Sequence, residues 1–197
     1  AMDAAQAQDA VLFAESKGVK VMEAFMYRFH PQWVHAREVV QAGEIGKPQY
    51  IYVQFTYNNR DPRNIRNMLS AGGGAIYDIG CYACSSSRFI MGKEPRRALS
   101  LVRRDVEFGT DALSSGVLDF GDTEALFTVA TQSFPVQKVD IVGTAGAITI
   151  FIPFNMYDDI PAQMRICTSI GSRIVRLGPA GQYRLMFDAF SKSIIEG

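Results

Sequence analysis

Asp78 and Tyr82 stand four residues apart in the stretch Ala71-Gly72-Gly73-Gly74-Ala75-Ile76-Tyr77-Asp78-Ile79-Gly80-Cys81-Tyr82. On a helix that spacing puts both side chains on one face, so a carboxylate and a phenol can converge on one small polar ligand. Such a pair can give or take a proton at a carbonyl or an alcohol. A phenol with a pKa of about 10 must be lowered by a cation before it serves as a base near neutral pH, and that cation has to come from elsewhere. The same spacing also suits a core helix whose tyrosine packs on a sheet and whose aspartate is solvated, so spacing alone leaves both readings open. The glycines that open the stretch lack Cβ atoms and allow a close approach by a ligand or another element. A helix is expected from about Gly74 to Met91, stopped by Gly92.

Other reactive side chains carry less. Cys81-Tyr82-Ala83-Cys84 is formally a CxxC, but it sits two turns into the expected helix, away from the terminus that would stabilise a thiolate. No second Cys or Cys/His pair completes four zinc ligands, so packed thiols and no metal are expected. With Cys167 the cysteines form no even disulfide framework, which fits a reducing cytoplasm. His30 and His35 are the only histidines, and His35 reads as an exposed helix residue. Arg60, Arg63 and Arg66 crowd toward the glycines from the polar stretch Asn58 to Asn64. Their planar forks could grip sugar hydroxyls, a carboxylate or a 2′-phosphate, or simply face solvent.

The elements that must position these groups follow from periodicity. Met2 to Lys17 reads as a helix and Val19 to Phe25 as a buried strand. Pro31 starts a helix that runs to Gly43. From Gln49 to Tyr57 the chain alternates, with Ile51, Val53, Phe55 and Tyr57 on one face and Tyr50, Tyr52, Gln54 and Thr56 on the other. Strands are expected over Pro95 to Val106, Asp111 to Phe120, Thr123 to Thr131, Val139 to Val142, Ala147 to Ile152, Met164 to Thr168 and Arg173 to Leu177. They are joined by short glycine turns, so the sheet should be mainly antiparallel. Tyr183, Met186, Phe187, Phe190 and Ile194 form a helical stripe that can close over the sheet. The expected fold is α+β, an open-faced sheet with helices on one face. Tyr50, Tyr52, Phe127 and Val129 are candidates for the uncovered face.

At 197 residues and 48% hydrophobic content the chain can bury one sizeable core. Twenty basic and twenty acidic residues cancel, which disfavours nucleic acid and anionic membrane as partners. No apolar run is long enough for a membrane span, and no basic segment leads a secretory signal.

The glycine stretch resembles the GGG-x-x-x-D-x-G-x-H/Y signature of the glucose-fructose oxidoreductase and inositol dehydrogenase family of NAD(P)-dependent oxidoreductases. Three further landmarks occur in order. Met22 to Pro31 is similar to the family's crossover between domains, Gly43-Glu44-Ile45-Gly46 to its helix-to-strand turn, and Gly143-Thr144-Ala145-Gly146 to its late hairpin. Tyr82, where the inositol branch has histidine, points to sugar and dihydrodiol dehydrogenases. The resemblance implies a sugar or trans-dihydrodiol substrate, with Tyr82 relaying the hydroxyl proton and Asp78 orienting the substrate. It implies Tyr27 and Arg28 at the cofactor junction, and His30, Arg60, Arg63 and Gly73 as substrate contacts. It also implies a homodimer or larger assembly through the open sheet face.

Neither the family's G-x-G-x-x-G nor its Glu-Lys-Pro, whose lysine is catalytic, occurs in the sequence. Residues 1–27 are therefore expected to be the remnant of a dinucleotide-binding domain and residues 28–197 a substrate-binding and oligomerisation domain. The chain is expected to begin just past that lysine and to end early. NADP or NAD is expected in the full-length parent and none on this chain, which should be inactive by itself. The alternative is a stand-alone, non-catalytic oligomerisation and sugar-binding module.

Overall fold

The structure, a computed structural model, describes residues 1–196. Its centre is an eight-stranded sheet. In chain order the strands are β1 Pro48–Asn58, β2 Arg97–Arg104, β3 Asp111–Asp119, β4 Glu124–Ala130, β5 Gln132–Gly143, β6 Gly146–Ile150, β7 Ala162–Thr168 and β8 Gly171–Leu177. In space they run β2-β3-β4-β1-β5-β6-β7-β8. Every neighbouring pair is antiparallel except β1 and β4, which are parallel. β4 and β5 are separated by Thr131 alone yet flank β1 on opposite sides. The connection rounds the end of β1, where the Thr131 carbonyl accepts the Asn59 N–H at 2.9 Å.

Alternation along β1 sets the two faces of the sheet. Ile51, Val53 and Phe55 are buried, and register carries the same face across the other strands. One apolar row runs Leu118, Ala125, Ile51, Ile141, Ile148, Ile166, and the next runs Phe127, Val53, Val139, Ile150, Met164. β-Branched and aromatic side chains suit this pleated, half-covered surface. Helices α2 (Pro31–Gln41) and α3 (Cys81–Met91) cover it. They bury Trp33, Ala36, Val39, Ala83 and Ile90 in one core with the sheet.

Several expectations need correction. Phe127 and Val129 belong to the core face, because the parallel register sets Phe127 beside Val53 and Val129 beside Phe55; Leu126 and Thr128 take the outer face with Tyr50 and Tyr52. Val19 to Phe25 is not a strand: it joins none of the eight and its first six residues are exposed. An extended segment with no partner for its N–H and C=O groups makes no ladder. Helix α1 (Ala4–Ser16) forms as expected, capped by Asp3, but buries only Ala14. The expected helix after the glycines opens instead with a π-helical turn, Ile76–Gly80. Helix α4 (Gln182–Glu196) does not close over the sheet. It lies on the 3-10 turn Met26–Phe29 and buries Met186 while Tyr183, Phe187 and Ile194 remain exposed.

Candidate active site

The site is built where the π-turn meets the end of β1. A Cβ on Gly73 would stand 2.5 Å from the Arg66 carbonyl oxygen, and one on Gly74, whose φ is +123°, would overlap the Asp111 carboxylate. The glycines thus let the helix start close against the protein's own loop and against β3. Asp111 reaches out of β3, accepting the Ile76 N–H at 2.8 Å and the Ser114 hydroxyl at 2.9 Å. One of the donors that a helix start leaves unpaired is satisfied in this way.

Within the π-turn, both Asp78 oxygens are engaged. The Tyr57 hydroxyl donates to Oδ2 at 2.6 Å and the Arg66 Nε–H donates to Oδ1 at 2.8 Å. Tyr82, in the first turn of α3, packs its ring against Phe154, Phe25 and Phe55 at centroid distances of 5.0, 5.3 and 5.7 Å. Its hydroxyl lies 3.7 Å from the Met26 sulfur. Among the described residues no hydrogen bond joins Asp78 to Tyr82, so the pair expected from spacing shares a neighbourhood while the direct phenol partner of Asp78 is Tyr57. Burial pushes the Tyr82 phenol up to about 12, with Cys81, Tyr183 and Asp78 adding to the rise and Arg66 opposing it. At neutral pH Tyr82 is therefore a proton donor, and to act as a base it needs a further cation.

Tyr27 is fully buried. Its hydroxyl donates to Ser85 Oγ at 2.7 Å and its ring meets Trp33 edge-on at 5.0 Å. Burial raises its pKa above the ordinary range. Arg28 lays its guanidinium over Phe89 at 5.2 Å, two helical turns from Tyr82, and lines a polar cavity of about 170 Å³ with Ser85 and Arg88. His30 is 1% exposed and caps α2, its Nδ1 accepting the Gln32 N–H at 3.1 Å; burial lowers its pKa and Asp158 opposes that. Arg60 pairs with Asp105 at 3.2 Å and Glu107 at 3.0 Å, and Arg63 with Asp61 at 3.1 Å. Of the three loop arginines, only Arg66 reaches the carboxylate of the site. Cys81 and Cys84 are free thiols. Burial pushes Cys81 up to about 11 and moves Cys84 in the same direction.

Neither spacing nor resemblance singles out Tyr57 or Asp111 as a site residue. Tyr57 had a signal, since the alternation that buries Ile51, Val53 and Phe55 turns it toward the same face. Asp111 had none, because its role depends on β3 lying beside a helix start 35 residues earlier. No described segment makes the strand, glycine turn and helix that cradle a pyrophosphate.

Residues 33–149 match the family model described as the GFO/IDH/MocA C-terminal domain. The chain is 39% identical over 188 residues to an uncharacterised oxidoreductase of Rhizobium meliloti, covering 91% of this chain and 56% of that protein. It is 32% identical over 194 residues to D-xylose 1-dehydrogenase (NADP(+)) 2 of Haloferax volcanii, covering 94% and 57%. Against the trans-1,2-dihydrobenzene-1,2-diol dehydrogenase of Xenopus tropicalis it is 30% identical over 159 residues, covering 80% and 47%. The solved structure of a 3-ketoreductase from Actinomadura kijaniata, with NADP and TDP-benzene, superposes with a TM-score of 0.92 at 20% identity, covering 99% of this chain and 60% of that one. The chain spans about half the length of the curated relatives it matches.

Proposed function

Since this chain belongs to the GFO/IDH/MocA family, of which it carries the C-terminal domain, we propose that it supplies the substrate-facing residues of an NAD(P)-dependent oxidoreductase acting on a CH–OH group of a sugar or a trans-dihydrodiol. The observation that carries this reading is an anchored carboxylate, Asp78, in the π-turn, followed four residues on by a half-buried phenol, Tyr82, in the first turn of α3. π-Turns within helices are frequent at functional sites. Asp78 accepts substrate hydroxyls and holds the reacting carbinol. Tyr82, kept protonated by burial, returns a proton to the carbonyl oxygen in the reducing direction, and takes one in the oxidising direction once a cation lowers its pKa. NADP or NAD, when bound to the parent enzyme, supplies the hydride acceptor or donor.

Tyr27 shapes the wall behind Tyr82, and Gly73 sets the approach of the Arg66 loop to the helix start. In this reading Arg28 remains the candidate for the cofactor junction and His30, Arg60 and Arg63 the candidates for substrate contact, Arg60 and Arg63 being paired with loop carboxylates. Residues 1–27 belong with the dinucleotide-binding part and residues 28–197 with the substrate part. Because the sequence holds neither G-x-G-x-x-G nor Glu-Lys-Pro, the chain by itself is expected to give no NAD(P)-linked turnover. A second reading, an assembly and sugar-binding module, is favoured by the outer face of the sheet, where Leu99 and Leu101 stand exposed near Tyr52 and Leu126.

The test is titration of the full chain with D-xylose and with a trans-dihydrodiol, read by NMR at Tyr82 and Asp78 and followed by an NADP-reduction assay. Binding that perturbs both residues without turnover is the expected result. Binding that leaves both silent would move the site elsewhere, and NADPH production by the chain alone would overturn the division of labour.

A further inference from the structure

Tyr57, Arg66 and Asp78 come from three different elements and meet in one hydrogen-bonded line. Tyr57 stands near the end of β1, Arg66 in the 3-10 turn Ile65–Asn67, and Asp78 in the π-turn. Each donor takes a different carboxylate oxygen, at 2.6 and 2.8 Å. Rotation of the carboxylate would weaken both bonds at once, and bonds to a charged acceptor are the stronger kind. The donors are themselves anchored. The Arg66 N–H is held by Asn64 Oδ1 at 3.0 Å, and its carbonyl accepts the Gly74 N–H at 2.9 Å across the glycine start. Burial and the neighbouring Asp78 raise the Tyr57 pKa, so its hydroxyl remains a donor.

A carboxylate oxygen has two lone-pair positions. With one on each oxygen occupied, each oxygen keeps one free, and two adjacent carboxylate acceptors can take hydrogen bonds from two adjacent hydroxyls. We propose that Tyr57 and Arg66 are positioning residues that fix the rotamer of Asp78, so that it presents a stationary pair of acceptors to a vicinal diol while Tyr82 remains the phenol that exchanges the proton. The inference rests on the reading of Asp78 as the substrate-orienting group. It deepens that reading by making the recognised unit two adjacent hydroxyls rather than one.

The experiment uses the full chain labelled with nitrogen-15, with Tyr57→Phe and Arg66→Lys as variants. The Arg66 Nε–H resonance, identified by its loss in Arg66→Lys, is expected to exchange slowly with water. It should shift and exchange faster in Tyr57→Phe, although Tyr57 hydrogen-bonds Asp78 and not Arg66. D-Xylose affinity is expected to fall on the order of tenfold in each variant, one lost hydrogen bond to a charged group, with unchanged circular dichroism. Arg66 is half-exposed, so Arg66→Lys keeps the fold even if Tyr57→Phe does not. An Arg66 signal unmoved by Tyr57→Phe overturns the coupled line. A moved signal with unaltered affinity in both variants overturns the positioning role. If the wild type binds no D-xylose, the substrate reading fails, while the Arg66 signal still decides whether the three side chains act as a unit.

Discussion

At Gly74 the chain takes a backbone conformation that side chains rarely adopt, directly under the Asp111 carboxylate. Gly74→Ala is therefore expected to destabilise the fold by roughly 2–4 kcal/mol, combining strain at positive φ with displacement of a buried carboxylate. Urea denaturation checks it; a loss below about 1 kcal/mol would mean that the helix start can shift freely. Asp111→Ala removes the acceptor for Ile76 and Ser114 and is expected to cost about 1–3 kcal/mol. His30 gives a pH signature. Burial depresses its folded-state pKa below the ordinary 6.5, so the unfolded chain binds the proton more readily. The stability this contributes is present above about pH 6.5 and is lost as pH falls toward the depressed value. His30→Asn, which keeps a capping acceptor, should flatten that acid limb in thermal melts recorded between pH 7 and 5; an unchanged limb would place the sensitivity in another group.

Among the elements, β1 was the most legible from sequence, because apolar residues two apart from Ile51 to Tyr57 allow little but a strand with one buried face. Its neighbours were not legible. Periodicity reports which face a residue takes and says nothing of which strand lies alongside, so the parallel pairing with β4 stayed hidden. On β4 itself Leu126, Phe127, Thr128 and Val129 mix apolar residues on both phases, and only the register with β1 separates them. The π-turn was hidden for a different reason: local sequence argues for a helix, while the widened turn is held from outside by Asp111, Tyr57 and Arg66. Asp78 and Tyr82 were found by their types and spacing, whereas the two residues that grip Asp78 lie 21 and 12 positions away. Arg60 and Arg63, grouped with Arg66 by sequence, diverge because carboxylates of the loops around them claim both guanidiniums.

For the molecule as a whole, the two faces of the sheet have unequal cover. The outer face carries Leu99 and Leu101 at 68% and 80% exposure, beside Tyr50, Tyr52 and Leu126. An uncovered apolar patch of this kind is characteristic of an assembly surface, and we expect the chain to pair through it. The substitution Leu99→Lys combined with Leu101→Glu should shift sedimentation toward the monomer without lowering the melting temperature of the isolated unit; an unchanged oligomer would place the contact elsewhere. Helix α1, with Val11, Leu12 and Phe13 exposed, and the exposed side of α4 form a second apolar region. None of the helices described is long and apolar enough to cross a membrane.

The position of β1 between β4 and β5 also sets an order of events. As the chain leaves the ribosome, β1 emerges before both strands that must hold it, which lie beyond residue 123. Until they arrive, Ile51, Val53 and Phe55 have no sheet to join. Closing two long loops around the same strand is entropically slow, so the nascent chain spends that interval with the apolar face of β1 open to chaperones or to a neighbouring polypeptide. Stalling synthesis before Gly143 should leave β1 sensitive to protease, and extending the chain past it should protect β1 and the Asp78 site together.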